Sequence, residues 1–127
     1  MITLDIEQVI HLHDLLIRRT GGKDGLRDIG TLESAIYHAY ATFEGRDLYP
    51  SIEEKASRQM FSLITNHAFV DGNKRIGAFV LLILLEMNDI SIQYTQQELI
   101  NLALGTATGK TTAAQIHQWV ENHKTGE

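Results

Sequence analysis

Eight consecutive apolar residues, Ala78 to Leu85, sit inside a helical pattern that runs from about residue 73 to 88. Phe79, Val80, Leu81, Leu82, Ile83, Leu84 and Leu85 cover nearly every side of such a helix, so it has no face to give to water and has to be wrapped by others. The run is far short of the ~18 to 20 apolar residues that cross a bilayer. It therefore reads as the central helix of a soluble protein, with Gly77 leaving room for a close neighbour.

The rest of the chain supplies the wrapping. Leu4, Ile6, Val9, Ile10, Leu12, His13, Leu16 and Ile17 recur at three- and four-residue steps, which predicts a helix over about 4–19 that faces a core and stops at Gly21-Gly22. Residues 20–30 carry four glycines and read as a loop. Thr31 is the expected N-cap of a second helix reaching about Thr42. Phe43 to Pro50 reads as another loop, and Ser51 with Glu54 forms a capping box that opens a helix over about 52–67. Thr95 and Glu98 form a second box for a helix ending near Gly105, and a last helix is expected over 111–123. Short strands fit around Ser91 to Tyr94. The expectation is an all-α, compact single-domain bundle of about six helices over residues 1–127.

Composition bounds the chemistry. With 127 residues and 43% apolar content, one core suffices without staples. No cysteine is present, which removes disulfides and thiolate zinc sites, and nothing at the N-terminus resembles a signal peptide. A cytoplasmic protein that does not engage a membrane is the expectation. A net charge of -5 argues against a broad grip on nucleic acid but leaves room for a local basic pocket.

Such a pocket is written between His67 and Arg75, in the run His-Ala-Phe-Val-Asp-Gly-Asn-Lys-Arg. Gly72 and Asn73 fall at the N-terminus of the apolar helix, where free N–H groups and the positive end of the dipole attract an anion. Lys74 and Arg75 follow in its first turn, an unfavourable place for cations unless a polyanion binds there. They point roughly 100° apart, so both need not face one ligand; Arg75, with its planar fork, is the stronger phosphate candidate. His67 suits a general base, since an imidazole can take a proton from an attacking hydroxyl, although a histidine at a helix end also stabilises that end by its charge. Asp71 suits Mg2+, a hard cation that takes one or two carboxylates plus phosphate oxygens; alternatively it caps backbone donors. Phe69 reads as a structural anchor of the loop. His11 and His13, two apart on a helix, point to different faces, and with His38, His117 and His123 they read as ordinary surface or core.

The same stretch resembles the signature of the Fic/Doc superfamily. The general Fic pattern runs His-Pro-Phe, two positions, Gly-Asn-Gly-Arg, two positions, Arg, and this chain keeps His67, Phe69, Gly72, Asn73 and Arg75. Ala68 replaces the proline, Lys74 the second glycine, as in the death-on-curing (Doc) branch, and Ala78 stands where the second arginine falls. Gly25-Leu26-Arg27-Asp28, Leu32-Glu33-Ser34-Ala35, Asp47-Leu48-Tyr49-Pro50, Glu54-Lys55-Ala56 and Ala107-Thr108-Gly109 also resemble Doc-type sequence.

The resemblance implies a fold of about six helices with the motif loop joining two of them. It implies the toxin of a toxin–antitoxin pair, acting with ATP and Mg2+ to pass the γ-phosphate to a threonine of elongation factor Tu and halt translation. His67 would be the base, Asp71 the metal ligand, and Gly72, Asn73, Lys74 and Arg75 the phosphate cradle. The antitoxin would contribute a helical C-terminal segment to an apolar groove. AMP transfer to a protein hydroxyl, and a catalytically inactive partner-binding module, are the competing readings. Some Fic proteins silence themselves with a helix carrying Ser or Thr, three positions, Glu, then Gly or Asn. Glu44-Gly45 and Glu121-Asn122 are the Glu-Gly and Glu-Asn pairs here, preceded four positions earlier by Tyr40 and His117, so neither fits. Inhibition in trans is the expectation.

Overall fold

The computed structural model describes residues 1–126. The described residues form six α-helices: α1 (Ile6–Thr20), α2 (Ile29–Tyr37), α3 (Ile52–Asn66), α4 (Asn73–Met87), α5 (Gln96–Ala107) and α6 (Ala113–His123). A 3-10 turn, His38–Tyr40, continues α2, and a hairpin of two short antiparallel strands, β1 (Thr42–Phe43) and β2 (Arg46–Asp47), precedes α3. The fold is all-α, as the helical periodicity implies.

Side-chain caps set most of the helix starts. Capping boxes at Asp5/Gln8, Ser51/Glu54, Thr95/Glu98 and Thr112/Gln115 open α1, α3, α5 and α6. The second helix begins earlier than the sequence suggests. Asp28, rather than Thr31, is its N-cap and accepts from Gly30 N at 3.0 Å, while Thr31 lies in the first turn and donates its hydroxyl to Asp28 at 2.8 Å. That hydroxyl bond, followed by the backbone ones, holds the Asp28 carboxyl below the usual range.

The apolar helix α4 buries Ile76, Val80, Leu81, Leu84 and Leu85 and packs along α3, which shares the centre and also touches α2, α5 and α6. Gly77 makes the close approach possible: a Cβ there would lie 2.7 Å from Ile64 Cγ1 and 3.1 Å from the Met60 carbonyl oxygen. On α3 several polar residues are buried, and three of them, Lys55, Ser57 and Gln59, donate to main-chain carbonyls. Ser57 donates to Glu53 O and Gln59 to Ile36 O. Buried Lys55 donates to Asp47 and to Tyr49 O, which ties the hairpin to α3. The hairpin turns at Glu44-Gly45, both at positive φ (52° and 77°), the backbone of a primed two-residue turn. Around Ser91 to Tyr94 there is one bridge, Ile92 to Lys124, rather than a strand.

Helix α6 is tied to α5 by His123, which is stacked on Trp119 at 4.1 Å between ring centroids and lies 3.1 Å from Glu98. The bond to the Trp119 carbonyl, then the Glu98 carboxylate, raises the His123 pKa. A raised folded pKa contributes stability that is fully present below the unfolded value and lost as pH rises through the folded one. The Tm difference between wild type and His123→Gln should therefore be full below the ordinary histidine pKa of ~6.5 and shrink as pH rises above it. Melting curves on either side of that value test it; a difference that does not change with pH rejects the charged pair.

Candidate active site

The loop between α3 and α4 brings the sequence-predicted residues together. His67 ends α3 in the left-handed region, with φ 52° and ψ 52°. This is uncommon for a side chain other than glycine and strains the chain locally. The turn persists because it is held from outside. Arg27 Nε donates to His67 O at 2.7 Å and its Nη2 to Asn66 O at 3.1 Å, occupying carbonyls that α3 leaves unpaired at its end. The His67 ring is thereby relieved of a capping task, and the residue is exposed.

Residues 68–70 then run antiparallel to the segment around Leu26. Arg27 N and Asp28 N both donate to Ala68 O, at 2.8 and 3.2 Å, and Val70 N donates to Gly25 O at 3.0 Å. Ala68 and the Phe69 ring are buried. Asn73 closes the loop from the helix side: its amide donates to Phe69 O at 3.0 Å, and its carbonyl oxygen accepts from Phe69 N at 3.1 Å. Its side chain is therefore turned to the loop, and its main-chain N–H is the group it has left for an anion.

Gly72 is the N-cap of α4, at φ 76°, and α4 is the one α-helix of the described residues without a side-chain cap. Its first N–H groups are thus open to a ligand. Asp71 stands beside them at N′. One carboxylate oxygen accepts from Gly72 N at 2.7 Å, the other from Lys23 N at 3.1 Å. Those backbone bonds, Lys23 first, lower the Asp71 pKa. An ionised, part-exposed carboxylate with lone pairs to spare fits Mg2+ completed by phosphate oxygens and water. The Gly21–Lys23 loop approaches closely enough that a Cβ at Gly22 would lie 2.6 Å from Asp71 Oδ2.

The two cations differ. Arg75 Nη1 donates to Thr20 Oγ1 at 2.6 Å and to Gly21 O at 2.7 Å, and Nη2 lies 3.7 Å from Asp71. The negative end of α1 and the Asp71 carboxylate thus partly answer a charge that the sequence leaves facing the positive end of α4. Lys74 is exposed, and its side chain makes no hydrogen bond or ion pair among the described residues. Two residues outside the motif complete the arrangement. Arg27 belongs to the Gly25-Leu26-Arg27-Asp28 run, which carries the resemblance without announcing a role. His13 is buried on α1 and reaches the loop with its ring; no local signal separates it from an ordinary core histidine.

The sequence profile of the Fic/DOC family matches residues 3–85, which contain this whole constellation. The chain belongs to the Fic/DOC family. It is 39% identical over 72 residues to a protein named Toxin Doc from Mycolicibacterium smegmatis, a match covering 57% of this chain and 55% of that protein. It is also 30% identical over 110 residues to the Protein kinase doc of Escherichia phage P1, covering 87% of this chain and 86% of that one. Both names belong to the Doc branch, to which Lys74 points.

Proposed function

We propose that this chain is the toxin of a type II toxin–antitoxin system and a Fic/Doc-type protein kinase that passes the γ-phosphate of ATP to a threonine hydroxyl of elongation factor Tu. The observation that carries the reading is the uncapped start of α4, with Asp71 and Lys74 beside it and an exposed, unencumbered His67 five residues away across the loop. The names of the Doc relatives support it.

In this reading the open N–H groups of α4 and the Lys74 ammonium hold phosphate oxygens, while Arg75 keeps the end of α1 and the motif in register and lends its remaining N–H groups. Asp71 would hold Mg2+, which supplies charge neutralisation on the phosphates. His67 takes the proton of the target hydroxyl as its oxygen forms a bond to the γ-phosphorus; the bond from that phosphorus to the bridging oxygen breaks and ADP leaves. Purified protein incubated with elongation factor Tu and either γ- or α-labelled ATP tests the reading. Label from γ-ATP alone on the target is expected; label from α-ATP would mean AMP transfer, and neither label would leave a binding module.

Arg75→Ala should impair turnover more than Arg75→Lys, because an ammonium retains one donor to Thr20 or Gly21 while alanine retains none. Asp71→Asn should raise the Mg2+ concentration needed for half-maximal activity, as the metal loses a charged ligand. Magnesium titrations that superimpose on wild type would reduce Asp71 to an organiser of the Lys23 and Gly72 amides.

An apolar groove of about 500 Å³ runs between α1, α4 and α5, with Leu16, Phe79, Leu82, Ile100 and Leu104 in its walls and Lys74 and Arg75 at its rim. This is where the helical segment of the antitoxin docks in the proposal. Its position beside the phosphate cradle lets one partner both cover the groove and shield those cations.

A further inference from the structure

His13 lies 58 residues before Asp71 and is 1% exposed. Its Nε2 is 2.7 Å from the Asp71 carbonyl oxygen, and its ring stacks on Phe69 with centroids 3.8 Å apart and planes 11° from parallel. A carbonyl can only accept, so Nε2 carries the proton. The consequence follows from peptide geometry. In a trans peptide the C=O and N–H point in opposite directions, and the Asp71 carbonyl shares its plane with the Gly72 N–H. Drawing that carbonyl toward His13 sends the Gly72 N–H away from it, toward the Asp71 carboxylate oxygen it reaches at 2.7 Å. Gly72, at φ 76° and without a Cβ, offers little steric resistance to a flip of this peptide. Its orientation has to be imposed from outside, and His13 is the group placed to impose it.

We propose that His13 is a positioning residue: by fixing the Asp71–Gly72 peptide it holds the Asp71 carboxylate in the orientation that receives the metal. This rests on the reading of Asp71 as the Mg2+ ligand. His13→Phe keeps an aromatic ring against Phe69 but removes the donor, whereas His13→Gln keeps an N–H at similar reach and removes the ring. Calorimetry with ATP alone and with ATP·Mn2+ measures how much the metal adds to nucleotide affinity. The Phe variant should lose that metal-dependent gain by ~10- to 100-fold, the usual effect of removing a group that orients a ligand, and the Gln variant should recover most of it. A full gain in His13→Phe, or equal losses in both variants, overturns the proposal. A wild type with no metal-dependent gain would instead remove the Asp71 reading on which it stands. Nitrogen NMR of wild-type His13 gives a check that needs no variant: a proton on Nε2 is expected, and a ring protonated on Nδ1 alone overturns the inference.

Discussion

Replacing His67 with alanine or glycine is expected to lower phosphorylation of the target by ~10²–10⁴, the usual contribution of a positioned general base. The two variants should nonetheless differ in stability. His67 adopts the left-handed backbone, and relief of that conformation for a non-glycine residue is on the order of 1–2 kcal/mol. The Gly variant should therefore melt at or above wild type, and the Ala variant below the Gly variant. Neither should unfold, because the ring is exposed and Arg27, not the imidazole, binds the carbonyls at the end of α3. Activity and melting point would thus move independently, which a purely structural histidine could not produce. Unchanged phosphorylation in the Gly variant would remove the base assignment.

Features written in local sequence were legible. The apolar run of α4 and the Ser51/Glu54 and Thr95/Glu98 capping boxes follow from side chains a few positions apart, and a lone glycine in that helix, Gly77, marks a close approach without naming its partners, Met60 and Ile64. The loop between α3 and α4 was legible for the same reason, since Gly72 and the change of periodicity bracket it. Features set by distant partners were not. Polar Lys55, Ser57, Gln59 and Ser62 make α3 look half-solvated, yet they are buried, with carbonyls from other segments or from their own helix satisfying several of them. The α2 start is a local miss: Asp28, not the expected Thr31, is the N-cap, and the Thr31 hydroxyl is spent on the Asp28 carboxylate instead of on a backbone N–H. The Glu44-Gly45 turn lacks the usual Asn-Gly or Asp-Gly signal, so the hairpin passed as a loop. His13 and Arg27 join the site through bonds spanning 58 and 40 residues, and no periodicity encodes such a bond.

Expression of the chain alone is expected to arrest growth of a host whose elongation factor it recognises, and co-expression with its neighbouring small gene to restore it. The groove between α1, α4 and α5 gives this a sharper form. Ile100 and Leu104 line it while remaining 41% and 46% exposed, so an aspartate at either position can stay in water in the free protein. In a complex the same carboxylate would be buried against the apolar face of an incoming helix, without a partner and at high cost. Loss of a central apolar anchor alone costs about 2 kcal/mol or more, roughly a 30-fold weaker complex, and the buried charge adds to it. Ile100→Asp and Leu104→Asp should therefore remain toxic, since neither residue belongs to the motif, while the antitoxin no longer rescues growth. Titration of the purified variants with the antitoxin segment checks the affinity directly. Rescue of both variants as complete as that of wild type would move the docking face elsewhere, and harmless expression of the wild-type chain alone would remove the toxin reading.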